Sequence, residues 1–392
     1  MRTTRSTGGW QRAAHRELPP MTRGRDGAPR AAVERAAHRV CAGRFTAVRA
    51  AFEDARRRLP ERRRTMRYVI ADQPVQLRVV GETLARHIDA PLAHLRADVE
   101  LPPSGLTIEL WDVHETGVAG LAAADRHAVG RSWQLIDGAF AASPDGRFVS
   151  HELRDATMWL DRSRQRLIGW FGDARAMTLH DRGKPLQMLL SLWATDRGLQ
   201  PAHAALVARE GRGVVIPGSS GSGKSTLALA CLSAGFTYFG DDWVGIGRAA
   251  GGGFMGYGLY SSTYLEPAHA ARFPALAARA RAPRDAAEPK SLIQLSEICP
   301  ERLGHASPLR ALALPRIVAG APAPARPASK RDALLMLLPS TIFTMRPRAG
   351  SEAVDRLGEL VDALPAYWVE INPDVERIAP AVDALLAACD AG

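Results

Sequence analysis

The chain has 392 residues, 46% of them hydrophobic, which is room for two domains with cores of their own plus an appendage. Its formal charge of +10 suggests a nucleic-acid partner until it is partitioned: residues 1–65 hold 17 Arg and no Lys against 6 acids, and the rest carries 34 basic and 35 acidic side chains, so the body of the protein is neutral. No apolar run of about 18 residues exists to span a membrane as a helix, and Cys41, Cys231, Cys299 and Cys389 lack the C-x-x-C spacing of a zinc site or a disulfide framework. Together these point to a soluble, reduced, cytoplasmic protein.

Residues 1–65 are Arg, Ala, Gly and Pro with few large apolar side chains, and the expectation is a disordered basic tail, or an upstream extension of a protein that starts at Met66, where MRYVIADQPVQLRVV begins to look folded. A basic arm touching nucleic acid is the minor alternative. From 66 to 198 the pattern is short and alternating. Phe148 to Leu153, Ala156 to Leu160 and Arg166 to Phe171 have strand length and lie between turn-forming stretches, which predicts a small mostly-β domain built as an antiparallel meander. Trp159, Trp170 and Phe171 read as its packing, and PLQMLLSLWATD at 185–196 as an amphipathic helix.

The remaining domain, 199–392, opens with AHAALVAREGRGVVIPG, two apolar runs around a tight turn. This hairpin leads into GVVIPGSSGSGKSTLALACLSAGFTYFGDD at 213–242, where Gly218 to Ser225 fits G-x-x-x-x-G-K-[ST], the phosphate-binding loop, between a strand and a helix as that motif requires. Gly218, Gly221 and Gly223 let backbone N–H groups turn inward, and the helix start adds its positive end. Nucleotide phosphates are then held by Gly218, Ser219, Ser220, Gly221, Ser222, Gly223, Lys224, Ser225 and Thr226. Lys224 reaches the β- and γ-phosphates, and the Ser225 hydroxyl lies where a bridging magnesium ion belongs. A following strand delivers Asp241 and Asp242 to its end. Hairpin pairing brings His203 to the same place.

Further on, the spacing predicts two strands around Gly251 to Gly253, strands at 290–295 and 311–318, helices at 333–338 and 351–364, a strand at 367–371 and a closing helix at 373–389. Residues 261–289 are rich in Ala, Pro and Arg, with Arg272, Arg279, Arg281 and Arg284 as candidates for a lid, or simply for a solvated face.

Residues 202–246 resemble the HPr kinase/phosphorylase family and its looser relatives, the HPr-kinase-like serine kinases: a His-bearing strand, a hairpin, a phosphate loop, a helix ending in Gly and a strand ending in two Asp. The resemblance implies an α/β fold, the P-loop kinase core shared with phosphoenolpyruvate carboxykinases, preceded by the mostly-β domain. It implies transfer of the ATP γ-phosphoryl group to a serine hydroxyl. Asp241 would accept the proton, His203 would lie beside the reacting phosphate, Lys224 would bind it, and Ser225 with Asp242 would hold Mg2+. The sequence departs from the bacterial HPr enzymes at Ser219-Ser220 and Thr226, and it shows no E-I-R-G-type stretch downstream. The acceptor expected is therefore a serine of a peptide, a protein or a small molecule, with no specific nucleic acid, no membrane, and a homo-oligomer as one assembly open to the chain.

Two rival readings stay open. The step from Lys224 to Asp241 also suits a shikimate-kinase-like small-metabolite kinase. A nucleotide-binding regulator without catalysis is the other, although the chain lacks the N-K-x-D motif of GTP-specific proteins, and two Asp after one helix favour a kinase.

Overall fold

An arginine-rich composition conceals an apolar stripe. Cys41, Phe45, Val48, Phe52 and Ala55 recur every three or four residues, the spacing of one helical face. The computed structural model, which describes residues 30–97, 105–121, 131–135, 138–281, 290–343 and 350–390, places them on helix α1 (Arg30–Arg58). All five are buried, against Val80, Trp111, Phe148, Trp159 and Ile168. The disordered tail expected over 1–65 is thus corrected from residue 30 onward: Arg is a good helix former, and the stripe has a sheet to bury itself on. Met66 lies inside a strand, opposite Leu77.

That sheet comprises β1 (Arg63–Ile70), β2 (Gln73–Val80), β3 (Leu106–Asp112), β4 (Arg131–Leu135), β5 (Gly138–Ala142), β6 (Phe148–Leu153), β7 (Ala156–Asp161) and β8 (Arg166–Phe171), in the order β1-β2-β3-β8-β7-β6-β5-β4. The meander holds from β4 through β8, but β2, β3 and β8 pair in parallel, so the sheet is mixed. α1 covers one face. The other carries α2 (Glu82–Asp89) and, after the short helices α3 (Val113–Thr116) and α4 (Leu179–Gly183), α5 (Gln187–Asp196). α5 is not the amphipathic helix expected: Leu189, Leu190, Leu192, Trp193 and Ala194 are buried around most of its girth, and Leu186 before it sits at φ +59°.

The core under α5 does not stop at residue 198. It takes in Leu199, Trp243, Tyr257 and Tyr260, and the Tyr257 and Tyr260 hydroxyls donate to Asp72 Oδ2 (2.9 Å) and the Pro185 carbonyl (2.8 Å). The expected division at 198/199 therefore runs through one apolar cluster.

The second sheet uses β9 (Gln200–Ala202), β10 (Ala204–Arg209), β11 (Arg212–Pro217), β12 (Thr237–Gly240), β13 (Val244–Arg248) and β14 (Phe254–Gly258), with helix α6 (Lys224–Ser233) between β11 and β12. A separate ribbon pairs β15 (Ser262–Leu265) with β16 (Ser291–Gln294), flanking α7 (Pro274–Ala277). β17 (Ala306–Ile317), β18 (Arg326–Pro327), α8 (Lys330–Phe343), α9 (Gly350–Ala363), β19 (Ala366–Ile371) and α10 (Ile378–Asp390) complete the described chain. The order is β12-β10-β11-β17-β14-β13-β9, with β19 parallel to β17. α6 and α10 cover one face of this sheet and α8 and α9 the other, giving three layers in a mixed α/β fold. The loop after β11 opens where parallel strands end, the usual place for a ligand in such sheets.

Candidate active site

β10 and β11 form the hairpin, with Ala204 opposite Pro217, so His203 faces the first residue of the loop. The loop itself needs glycine. Gly221 (φ +79°) and Gly223 (φ +99°) occupy left-handed conformations, and a Cβ on Gly223 would come within 2.1 Å of Ile371 Cδ1, whereas nothing lies within 4 Å of one on Gly221. A side chain at Gly223 would collide with the wall at Ile371, whereas Gly221 faces open space.

Lys224, the first residue of α6, is only 4% exposed, and its Nζ donates to the Ser219 carbonyl at 3.2 Å. Burial pushes its ammonium below the usual lysine range, against the pull of Asp242 and Asp241. An anion beside it would relieve that cost.

The two aspartates have different surroundings. Asp241 is buried, accepts a 2.6 Å hydrogen bond from Thr263 Oγ1, and leaves Oδ1 without a partner among the described residues. Burial and then the neighbouring Asp242 push its carboxyl up, with Lys184, Thr263 and the Ser225 hydroxyl acting the other way. Asp242 is ion-paired with Lys184, and its Oδ1 lies 3.3 Å from His203 Nε2. Although burial opposes it, the Lys184 ammonium and the His203 ring hold its carboxyl well below the usual range. Lys184 is itself buried, with its Nζ 4.5 Å from the centroid of the Tyr264 ring.

A cleft of about 560 Å³ opens over the loop. Ser219, Ser220, Gly221, Gly223, Lys224, Ser225 and Thr226 form its floor, and His203 and Asp242 line it; Gly218 and Ser222 stand just behind, with Ser222 Oγ buried and unpartnered among the described residues. Asp241, expected at the cleft as proton acceptor, does not line it. Consecutive residues leaving a strand point in opposite directions, and here Asp242 takes the open side. Asp242, expected at a metal, is occupied instead by Lys184 and His203. Among the described residues no three of His, Cys, Asp and Glu gather as a self-sufficient metal site.

Of the lid candidates, Arg272 lines the cleft; Arg279 and Arg281 bond to Glu297 (3.5 Å to its carbonyl, 2.7 Å to Oε1), and Arg284 lies outside the described residues. Sequence reasoning missed Lys184 and Tyr264 entirely, and the only local signal for the lysine was its place between a turn and a buried helix.

No family model matches the chain, and no curated protein matches it. Among solved structures, the Hpr(Ser) kinase/phosphatase from Coxiella burnetii is similar over 48% of this chain and 95% of its own, at 13% identity and a TM-score of 0.25. A likeness that low carries no argument. The site rests on its own geometry, and among the described residues no helix is long and apolar enough to cross a membrane.

Proposed function

We propose that the protein is an ATP- and Mg2+-dependent kinase that moves the γ-phosphoryl group to a serine hydroxyl of a peptide, protein or small molecule. The observation that carries this reading is the placement of Asp242 and Lys224 in one cleft, with the unpartnered Oδ1 of Asp241 on a carboxyl that the Ser225 hydroxyl reaches.

The residues fit both a nucleotide triphosphate and a divalent ion. The glycine cradle and Lys224 suit a triphosphate. Ser225 and Asp241 suit the ion, because a cation beside Asp241 would satisfy its unpartnered oxygen and compensate its buried charge, and such ions are commonly held by one or two protein oxygens plus phosphate. When bound, Mg2+ draws charge off the phosphate oxygens. This exchanges the roles that the sequence suggested for the two aspartates.

Asp242, kept ionised, accepts the hydrogen bond of the incoming hydroxyl and orients its oxygen toward the γ-phosphorus. The new O–P bond forms as the bond to the β-phosphate oxygen breaks, ADP leaves, and the hydroxyl proton passes to Asp242. His203 and Lys184 fix that carboxylate from two sides. Lys224 follows the charge on the phosphates.

Phosphorus NMR on the protein with Mg-ATP and a pool of serine-bearing compounds tests the reading. A phosphomonoester signal is expected, lowered about 10²- to 10⁴-fold in rate by Asp242→Asn and lost in Lys224→Ala. Tight ATP binding with no phosphoester from any acceptor would instead favour a regulator.

A further inference from the structure

The cleft has two unlike ends, and the difference assigns them. Beside Gly223, at the ends of β17 and β19, the wall is Ile317, Val318, Ile371 and Asn372: apolar surface with one amide, no charge, and Ile317 64% exposed. That chemistry suits a nucleotide base. The far end is built by the β15–β16 ribbon, whose Thr263 already holds Asp241 and whose Tyr264 lies against Lys184. The ribbon closes with Leu265 opposite Ser291, so Glu266 and Lys290 leave it side by side and pair at 3.1 Å. These two charges cancel.

Arg272 is the permanent charge that remains, beside the ring of His269. It ends the 3-10 turn Pro267–Arg272, which is anchored: Phe273 and Leu276, directly after it, are buried with Leu265 and Ile293 in the core under α6. Its neighbours Arg279 and Arg281 are bound to Glu297, but Arg272 makes no hydrogen bond or ion pair among the described residues and lines the cleft. A neutral alcohol approaching Asp242 needs no cation at this end. Resting on the kinase reading above, we infer that Arg272 is the anion contact of the acceptor subsite, and that the acceptor carries a carboxylate close to its reacting hydroxyl. A planar guanidinium with free N–H groups is the side chain suited to a carboxylate. Lys290 and Glu266 then frame the opening, disfavouring neither sign.

The test pairs N-acetylserine with its uncharged amide, titrated by ligand-observed NMR into the full chain holding Mg2+ and a non-hydrolysable ATP analogue. The carboxylate should bind about tenfold more tightly than the amide, as loss of one charge-assisted contact implies. Arg272→Gln should bring the two ligands level, while Arg279→Gln, whose arginine is turned away, should preserve the difference. Equal binding of acid and amide, failure of both to bind, or a preference that survives Arg272→Gln would each overturn the assignment. Turnover with Mg-ATP separates this from the wider reading. If the acid is preferred in binding but no phosphoester forms, the subsite stands and the kinase falls; if both compounds are phosphorylated with equal kcat/KM and Arg272→Gln slows them alike, Arg272 serves the transferred phosphoryl group and the subsite is wrong.

Discussion

Lys184 touches Asp242 across 58 residues of sequence, and the pair shows what a linear reading can and cannot deliver. The parts of 213–242 were legible as structure because the loop, its helix and its acidic strand end are neighbours in the chain, and the structure places strand, loop and helix in that order. Lys184 was not legible, since nothing near it in sequence announces a carboxylate. The placement of Asp241 and Asp242 was half legible: strand alternation says that only one of them faces the cleft, but which one depends on the ribbon that brings Thr263 to Asp241. The lysine side chain is 3% exposed, and removing it leaves Asp242, 29% exposed, with His203 as its remaining partner. Lys184→Met should destabilise the fold by about 1–2 kcal/mol in urea unfolding, and adding Asp242→Asn should recover most of that. A double variant no more stable than the single one would show that the lysine acts through packing alone.

At the scale of elements, α1 marks the contest between composition and pattern. Seventeen arginines in the first 65 residues outweighed a stripe spelled out by Cys41, Phe45, Val48, Phe52 and Ala55. Strands β6 to β8 and the hairpin β10–β11 were readable because turn residues bracket each one, whereas the parallel pairing of β2, β3 and β8 joins segments that no local signal connects. Phe52 is fully buried, its ring 6.4 Å from that of Trp111. Phe52→Ala should therefore cost about 3–5 kcal/mol of unfolding free energy. A loss within the range of an ordinary surface change, below about 0.5 kcal/mol, would mean that α1 contributes little to the sheet it covers.

For the molecule as a whole, acid should loosen the seam between the two sheets. His94 lies edge-on to His305 with both its ring nitrogens buried and without partners among the described residues, and burial, helped by His305, lowers its pKa to about 3. Burial likewise lowers partly buried His87 to about 4, a smaller contribution in the same direction. The unfolded chain takes up these protons as pH falls through the ordinary histidine value near 6.5, while the folded chain does not until about 3 to 4. Stability is then full above about pH 6.5 and is lost progressively as pH falls from there towards 3 to 4, on the order of a few kcal/mol. His94→Gln should flatten the slope of urea stability between about pH 6.5 and 4, and an unchanged slope would remove His94 from the account.

The cluster under α5 has one more consequence, for the order in which the chain is made. Its last contributors, Trp243, Tyr257 and Tyr260, follow the end of β8 by more than seventy residues. As the polypeptide leaves the ribosome, the first sheet can pair its strands, receive α1 on one side and α2 and α5 on the other, but the cluster under α5 stays incomplete until those three aromatic rings have emerged. The glycine-rich loop Gly218–Ser225 is synthesised during that wait.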